Sequence, residues 1–200
     1  MTTENKQEKH QQRQQKLKEK VDERIAAATE DKGLVLVITG NGKGKSTSGF
    51  GTVARAVGHG FNAAVVQFIK GTWDCGERNL LEHHGVPFFV MNTGFTWETQ
   101  NKEADTKAAQ AVWQDAKKLL ADPTIDVVLL DEITYMVSYH YIDVDEVEQA
   151  INNRPQGQHV VITGRGCHRR LIELADTVSE VQSIKHAFES GVKAQKGIDW

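Results

Sequence analysis

The sequence has few cysteines, no long hydrophobic run and little excess charge, and each shortage excludes a class of protein. Cys75 and Cys167 are the only two cysteines in 200 residues, too few for a disulfide framework, and they form no CxxC site. The longest purely apolar runs, of about five residues, are far too short to cross a bilayer. A net charge of −3 gives no overall attraction to nucleic acid or to an anionic membrane.

The N-terminus is polar and has no apolar region of the kind found in signal peptides, so we expect a cytoplasmic protein with two reduced thiols. The composition, 39% hydrophobic and 26% charged, is ordinary for a globular protein. The length fits one α/β domain and is short for two.

Residues 1–32 differ in composition from the rest. Residues 5–20 are rich in Lys, Gln and Arg, and Leu17, Val21, Ile25 and Ala28 recur at helical spacing. We expect a frayed polar tail that continues into an amphipathic N-terminal helix, followed by one domain over 33–200. Acidic residues nearly balance the basic ones, which favours docking on the domain or on a partner subunit over a nucleic-acid arm.

Short apolar segments alternate with helical patterns after residue 33. The predicted strands are Leu34–Thr39, Ala63–Phe68, Pro87–Met91, Ile125–Leu130, His159–Thr163 and, more weakly, Thr177–Val181. The predicted helices are Ser46–Val57, Ala104–Leu120 and Val144–Ile151, the last opening with a capping box of Asp143 and Glu146. Strands that are apolar throughout and separated by helices indicate a mainly parallel sheet covered on both faces.

Residues 34–47, LVLVITGNGKGKST, have the order strand, glycine-rich loop, helix that cradles the phosphates of a nucleotide. Lys45 would bring a charge to the outer phosphates, and the Ser46 hydroxyl would be a ligand for Mg²⁺. The usual spacing G-x-x-x-x-G-K-[ST] places Thr39 where a glycine is expected, so the loop that starts at Gly40 is one residue short. The phosphates can therefore sit differently from those in an ordinary hydrolase.

Two further segments follow predicted strands, so we expect both at the carboxyl edge of the sheet where ligands bind. In IDVVLLDE, 125–132, either Asp131 or Glu132 would meet the Mg²⁺, unless the pair is only an acidic strand end. In TGRGCH, 163–168, Arg165 could grip a terminal phosphate or belong to a structural loop. His168 is better explained as a hydrogen-bonded residue at a helix start.

An aromatic loop, TGFTWET at 93–99, separates this chain from a generic ATPase. Phe95 and Trp97 in a predicted loop either fold back into the core or contact a flat ligand. Judged from the residues alone, packing of Phe95 and Trp97 in the core is slightly favoured over contact with a ligand.

The chain resembles the ATP:corrinoid adenosyltransferases of the CobA/CobO/BtuR type, and the resemblance covers nearly its whole length. Several of the blocks that carry it have no purpose in an ordinary P-loop ATPase. They are GNGKGKS at 40–46, VVQFIKGTW at 65–73, GERNLLE at 76–82, TGFTWET at 93–99, LLDEITYMV at 129–137, ITGRGCHR at 162–169, ADTVSE at 175–180 and KHAFESGVKAQKGID at 185–199.

The resemblance implies a P-loop NTPase fold of the RecA-like kind, a three-layer α/β/α arrangement with a mainly parallel sheet, preceded by an N-terminal helix. It implies transfer of the 5′-deoxyadenosyl group of ATP to the cobalt of a Co(I) corrinoid, with release of triphosphate, in adenosylcobalamin biosynthesis and corrinoid salvage. ATP would lie in the short loop in reversed orientation. The corrinoid would be cobalamin, cobinamide or cobyrinic acid diamide.

The same resemblance assigns roles to individual residues. Mg²⁺ or Mn²⁺ would be bound by Ser46 and Glu132, with Asp131 less favoured. Phe95 and Trp97 would displace the axial ligand of the Co(II) corrinoid so that cobalt is more easily reduced. The nucleotide would contact Gly40, Asn41, Gly42, Lys43, Gly44, Lys45, Ser46, Thr47 and Arg165.

The resemblance also implies partners: a reduced flavodoxin or other flavoprotein as electron donor, and a second copy in a homodimer, with no nucleic acid and no membrane. Two alternatives stay open. One is a RecA-like ATPase or small-molecule kinase, in which Asp131 and Glu132 bind metal and orient water or a substrate hydroxyl. The other is a non-catalytic nucleotide-binding module that docks through residues 1–32.

Overall fold

A computed structural model describes residues 3–69, 74–91 and 101–200, with side chains from residue 7 onward. The chain divides into two compact units, one up to Lys32 and the other comprising Gly33–Trp200. Phe95 and Trp97 lie outside the described residues.

The first unit is a single helix, α1, at Thr3–Ala27. Helix α1 also includes most of the polar stretch for which we expected a frayed tail. Lys, Gln, Glu and Arg are good helix formers, and pairs four residues apart, such as Gln15 with Glu19 and Lys18 with Asp22, add support.

The second unit is built on a six-stranded sheet in which every pairing is parallel. Its strands are β1 Val35–Thr39, β2 Ala63–Gln67, β3 Phe88–Val90, β4 Val127–Asp131, β5 His159–Thr163 and β6 Thr177–Glu180. Their order across the sheet is β3-β2-β4-β5-β1-β6. Strand β5 lies between β1 and β4, and Ile162 pairs with Val37 on one side and Leu130 on the other. The carboxyl ends of β1, β5 and β4 consequently lie side by side.

Helices connect the strands. In the described part of this unit they are α2 Lys45–Gly58, α3 Gly76–His83, α4 Lys102–Ala121, α5 Ile133–Ser138, α6 Val144–Asn152, α7 Arg169–Leu174 and a 3₁₀ turn at Ala187–Ser190. None of the helices described, in either unit, is both long enough and apolar enough to span a bilayer.

Alternate residues of the central strands enter two separate hydrophobic cores, one on each face of the sheet. On one face, Val128 and Leu130 join a cluster that contains the fully buried Trp113 of α4. On the other face, Val127 and Leu129 pack with Phe50 of α2. This alternation gives the three layers, and it confirms the expected α/β/α fold with a parallel sheet.

Helix α2 approaches the sheet closely at Gly49. A Cβ atom there would lie 2.9 Å from Leu129 Cδ1 and 2.9 Å from Thr163 Cγ2. The absence of a side chain at Gly49 therefore allows the start of α2 to lie against β4 and β5, which brings the loop before it to the carboxyl edge of the sheet.

Candidate active site

The glycine-rich loop joins β1 to α2, and its glycines are required by the backbone. Gly40 has φ 102° and Gly44 has φ 113°, a conformation that side chains other than hydrogen disfavour. Cβ atoms at Gly40 and Gly42 would lie 2.5 Å from the carbonyl oxygens of Val181 and Gln182, respectively. The Gly42 amide also donates a 2.7 Å hydrogen bond to the Val181 carbonyl. The first half of the loop is therefore fixed by the chain that follows β6.

Lys45 begins helix α2 and is buried, with only 6% of its surface exposed. Its Nζ donates a 2.7 Å hydrogen bond to the Gly42 carbonyl. Burial lowers the pKa of Lys45 below the ordinary lysine value. The negative charges of Glu132 and Asp131 oppose this decrease, and the positive charge of Arg165 adds to it. A polyanion that binds in the loop would stabilise the charged ammonium of Lys45. The loop therefore places a lysine where its charge and that of a phosphate favour each other.

The adjacent carboxylates at the end of β4 lie in different environments. Asp131 is fully buried; its Oδ1 accepts a 2.7 Å hydrogen bond from Thr163 Oγ1, and its Oδ2 accepts a 3.2 Å bond from Gln67 Nε2. Glu132 instead adopts φ 64°, uncommon for a residue other than glycine, and lines a cavity. Its amide donates a 3.0 Å bond to Thr163 Oγ1. Asp131 thus ties the strands together, and Glu132 faces the candidate site.

The loop after β5 is fixed by the start of α5. Gly164 has φ 136°, and a Cβ there would lie 2.0 Å from Thr134 Oγ1. The Thr134 hydroxyl donates a 2.8 Å hydrogen bond to the Arg165 carbonyl, and Ser138 Oγ donates a 3.2 Å bond to the Gly166 carbonyl. These contacts hold the backbone of Arg165, whose side chain lines the same cavity as Glu132.

These elements surround a cavity of about 640 Å³ at the carboxyl edge of the sheet. Its described lining comes from the glycine-rich loop, the ends of β2, β4 and β5, helix α5 with its C-cap, the start of α3, and the C-terminal segment 182–200. The lining residues are Gly42, Lys43, Gly44, Lys45, Ser46, Thr47, Ile69, Asp74, Cys75, Glu77, Glu132, Tyr135, Tyr139, Arg165, His186, Ala194, Asp199 and Trp200.

The structure brings most of the candidate residues together on this cavity. The wall includes Gly42, Lys43, Gly44, Lys45, Ser46, Thr47, Glu132 and Arg165. Gly40 and Asn41 are not on it, and Asn41 is exposed. Asp131 lies behind the wall in the sheet. His168 caps α7, where its Nδ1 accepts a 3.3 Å hydrogen bond from the Arg170 amide, as expected for a helix-start histidine.

Two groups of lining residues were not singled out from the sequence. Tyr135 of α5 and Tyr139, the C-cap of that helix, form an aromatic wall with ring centroids 5.7 Å apart. His186 and Asp199 come from the C-terminal segment, where Lys43 Nζ lies 3.0 Å from Asp199 Oδ1. The i, i+4 tyrosines directly after a strand-end carboxylate were the available signal for the first group. The block at 185–199 contributed to the resemblance without indicating a particular residue.

The donor atoms on the cavity wall suit a hard cation that keeps water and phosphate ligands. The Ser46 hydroxyl and the Glu132 carboxylate are oxygen donors of the kind that Mg²⁺ prefers. The described residues contain no cluster of three or more His, Cys, Asp or Glu side chains able to hold a metal by themselves. The residues therefore fit a metal held jointly by the protein and a polyphosphate.

A parallel sheet with a glycine-rich loop at a helix N-terminus, basic groups and an acidic strand end defines a P-loop nucleotide-binding protein. The family model described as ATP:corrinoid adenosyltransferase BtuR/CobO/CobP matches residues 31–200, and a model of the N terminal of cob(I)alamin adenosyltransferase matches residues 1–25. The chain belongs to the ATP:corrinoid adenosyltransferase family.

Curated relatives match along nearly their whole length. The corrinoid adenosyltransferase CobA of Salmonella typhimurium is 65% identical over 193 residues, which cover 96% of this chain and 98% of the relative. The corrinoid adenosyltransferase of Escherichia coli is 64% identical with the same coverage. The corrinoid adenosyltransferase of Pseudomonas aeruginosa is 48% identical over 197 residues, covering 98% of this chain and 97% of its own.

Proposed function

We propose that this chain transfers the 5′-deoxyadenosyl group of ATP to the cobalt of a reduced corrinoid and releases triphosphate, in adenosylcobalamin biosynthesis and corrinoid salvage. The observation that carries the proposal is the 65% identity with a corrinoid adenosyltransferase over 96% of the chain. That match spans the glycine-rich loop, the strand ends and the C-terminal segment from which the cavity is built.

The reaction balances without an acid or base from the protein. Co(I) in the corrinoid supplies the electron pair that forms the cobalt–carbon bond to C5′ of ATP. The bond between C5′ and its oxygen breaks, and the triphosphate leaves with the electron pair of that broken bond. The nucleophile is the substrate's own metal, so the protein's task is to present C5′ and to stabilise the negative charge that develops on the leaving group.

The cavity wall carries groups suited to that task. Helix α2 presents its N-terminus at Gly44–Thr47, where the backbone dipole and first-turn amides favour an anion. Lys43, Lys45 and Arg165 add three cationic side chains on the same wall. We assign the triphosphate to this part of the cavity, with the adenosine directed away from the loop.

Mg²⁺, or Mn²⁺, is proposed to be held by Ser46 and Glu132 together with the triphosphate. Bound there, the metal would neutralise part of the polyphosphate charge. Glu132 is the better partner because Thr163 and Gln67 already bind the two oxygens of Asp131. Phe95 and Trp97, outside the described residues, keep the proposed role of displacing the axial ligand of the Co(II) corrinoid.

Reaching Co(I) requires an electron, for which we propose a reduced flavodoxin or another flavoprotein as donor, in the cytoplasm. A homodimer is proposed as well. Taken by itself, α1 has an apolar stripe whose residues Leu17, Val21 and Ile25 are exposed, and a second subunit could cover it.

The decisive experiment separates the products of adenosyl transfer from those of ATP hydrolysis. The protein is incubated anaerobically with Mg²⁺, ATP labelled in the adenosine, and chemically reduced Co(I) cobalamin. We expect label bonded to cobalt and an equimolar amount of triphosphate, and neither without corrinoid. ADP and orthophosphate as the main products, formed without corrinoid, would instead identify a RecA-like ATPase and overturn the proposal.

A further inference from the structure

The ion pair between Lys43 and Asp199 occupies the wall on which the triphosphate would bind. Lys43 Nζ lies 3.0 Å from Asp199 Oδ1, and both residues line the cavity. The side chain of Lys43 is 41% exposed and that of Asp199 is 25% exposed. A pair this accessible to water is held weakly, so a stronger anion can displace the carboxylate.

Asp199 is fixed by its own turn independently of Lys43. Its Oδ2 accepts a 2.7 Å hydrogen bond from the Gln195 amide, and its own amide donates a 2.8 Å bond to the Gln195 carbonyl. The Gln195 amide first, and then Lys43, lower the pKa of the Asp199 carboxyl below its ordinary value. The Asp199 carboxylate is therefore ionised at neutral pH, and its own turn holds it beside Lys43.

The formal charges on the cavity make this pairing significant for a polyanion. Among the described lining residues and leaving His186 aside, three side-chain cations, Lys43, Lys45 and Arg165, stand against four side-chain carboxylates, which include Asp74 and Asp199. A triphosphate gains most from Lys43 when that lysine no longer neutralises Asp199, because the same ammonium cannot serve both anions fully.

We propose that Asp199 is a competing counter-ion for Lys43: the triphosphate of ATP takes Lys43 from Asp199 on binding, and Asp199 takes Lys43 back as the free triphosphate leaves. Asp199 thereby limits the affinity for a product that the other cationic groups would hold tightly. This inference rests on the proposed function, and it makes Asp199 a positioning residue that acts through Lys43.

Calorimetric titration with inorganic triphosphate tests the idea without corrinoid or turnover. The proteins are the wild type, Asp199→Asn, Lys43→Gln, the double variant and Asp74→Asn. Asparagine keeps an oxygen that can accept from the Gln195 amide, so the turn is retained while the charge is lost. Asp74 is the matched charge control, because it also lines the cavity but accepts its hydrogen bond from Asn79.

We expect Asp199→Asn to tighten triphosphate binding by about threefold to tenfold, the range for removing the competition of an exposed ion pair for Lys43. We expect the gain to shrink to less than about twofold when Asp199→Asn is made in the Lys43→Gln protein, and to be smaller for Asp74→Asn.

Weaker binding by Asp199→Asn would overturn the inference in favour of a purely structural Asp199. An equal gain with and without Lys43 would overturn it in favour of a general charge effect. Triphosphate binding with no change on Asp199→Asn refutes this inference and leaves the proposed function standing, whereas the absence of adenosyl transfer in the product assay refutes the proposed function on which the inference rests.

Discussion

Thr163 Oγ1 donates a 2.7 Å hydrogen bond to Asp131 Oδ1, and this bond assigns different roles to two adjacent carboxylates. The same hydroxyl accepts a hydrogen bond from the amide of Glu132, which holds that residue in its left-handed conformation beside the cavity. One threonine on β5 therefore binds Asp131 inside the sheet and positions the backbone from which Glu132 faces the ligand site.

Asp131→Asn is expected to reduce stability. Both carboxylate oxygens accept hydrogen bonds, from Thr163 and Gln67, whereas the new amide has a single oxygen and can accept from only one of these two groups. The expected loss is about 1–3 kcal/mol in the free energy of unfolding, measured by urea denaturation. Glu132→Gln is the matched comparison: we expect nearly wild-type stability but a much higher Mg²⁺ concentration for half-maximal adenosyl transfer. A higher Mg²⁺ requirement for Asp131→Asn, together with a loss of stability for Glu132→Gln, would show that Asp131 is the metal ligand.

Lys45→Ala is expected to weaken ATP binding by about tenfold to a hundredfold, the value of a charge-assisted hydrogen bond to a phosphate. Corrinoid binding should change little, because Lys45 is bonded to its own loop at the Gly42 carbonyl. Calorimetry with ATP and a spectroscopic titration with corrinoid measure the two affinities separately. An equal loss in both would argue against a role confined to the nucleotide.

The pKa of Lys45 gives this site a dependence on pH. Burial lowers the pKa in the folded protein below the ordinary value of 10.5, so the unfolded chain binds more protons between the two values. The charged lysine therefore costs stability near neutral pH, and that cost falls as the pH rises through the folded pKa. A bound polyanion favours the charged form. We expect triphosphate binding to take up protons in alkaline solution below pH 10.5, and this uptake to be reduced in Lys45→Ala. Uptake that is identical in both proteins would assign it to another group.

The sequence predicted the sheet well because its central strands β2, β4 and β5 are almost entirely buried and read as short continuous apolar runs. Each of the six predicted strands is present, shifted at its ends by no more than two residues. The short helices α3 and α5 were not predicted, and α7 was indicated only by the helix-start histidine His168, since six to eight residues contain too few turns for a helical period to stand out.

Tertiary contacts explain the features that were missed. Asp143 caps α6 as expected, but it accepts from the Asp145 amide, and Glu146 accepts a 3.0 Å hydrogen bond from Trp113 Nε1 rather than completing a capping box. Asp199 was not predicted because it reaches the site by a pairing with Lys43 that links distant parts of the chain. The glycine-rich loop could be predicted from a local sequence pattern. The C-terminal residues that line the cavity could not, because only the folded chain brings them to the loop.

The aromatic segment at 93–99 gives a prediction about the oxidation state of the substrate. If Phe95 and Trp97 displace the axial ligand, alanine at either position should impair turnover of Co(II) corrinoid with a flavoprotein donor far more than turnover of prereduced Co(I) corrinoid. An apolar surface that excludes a water or amine ligand matters only before reduction. The absorption spectrum of Co(II) corrinoid with protein and ATP should contain a four-coordinate species that the variants lose. An equal loss with both substrates would remove this role.

Gly164→Ala is expected to be much more damaging than Gly166→Ala in the same loop. At Gly164, with φ 136°, a new Cβ would lie 2.0 Å from Thr134 Oγ1 and 3.0 Å from Glu132 Oε2. At Gly166, with φ 58°, the nearest atom that would meet a Cβ is Ser138 Oγ at 4.0 Å.

We therefore expect a loss of about 3 kcal/mol or more in the free energy of unfolding for Gly164→Ala, and of about 1 kcal/mol for Gly166→Ala, where only backbone strain contributes. Because the collision involves the residue that holds the Arg165 carbonyl, Gly164→Ala should also raise the KM for ATP in the protein that remains folded. Adding Thr134→Ala should recover part of the lost stability, since it removes the hydroxyl that the methyl group meets. If the two glycine variants are equally stable, the close packing of this loop against α5 does not determine the position of Arg165.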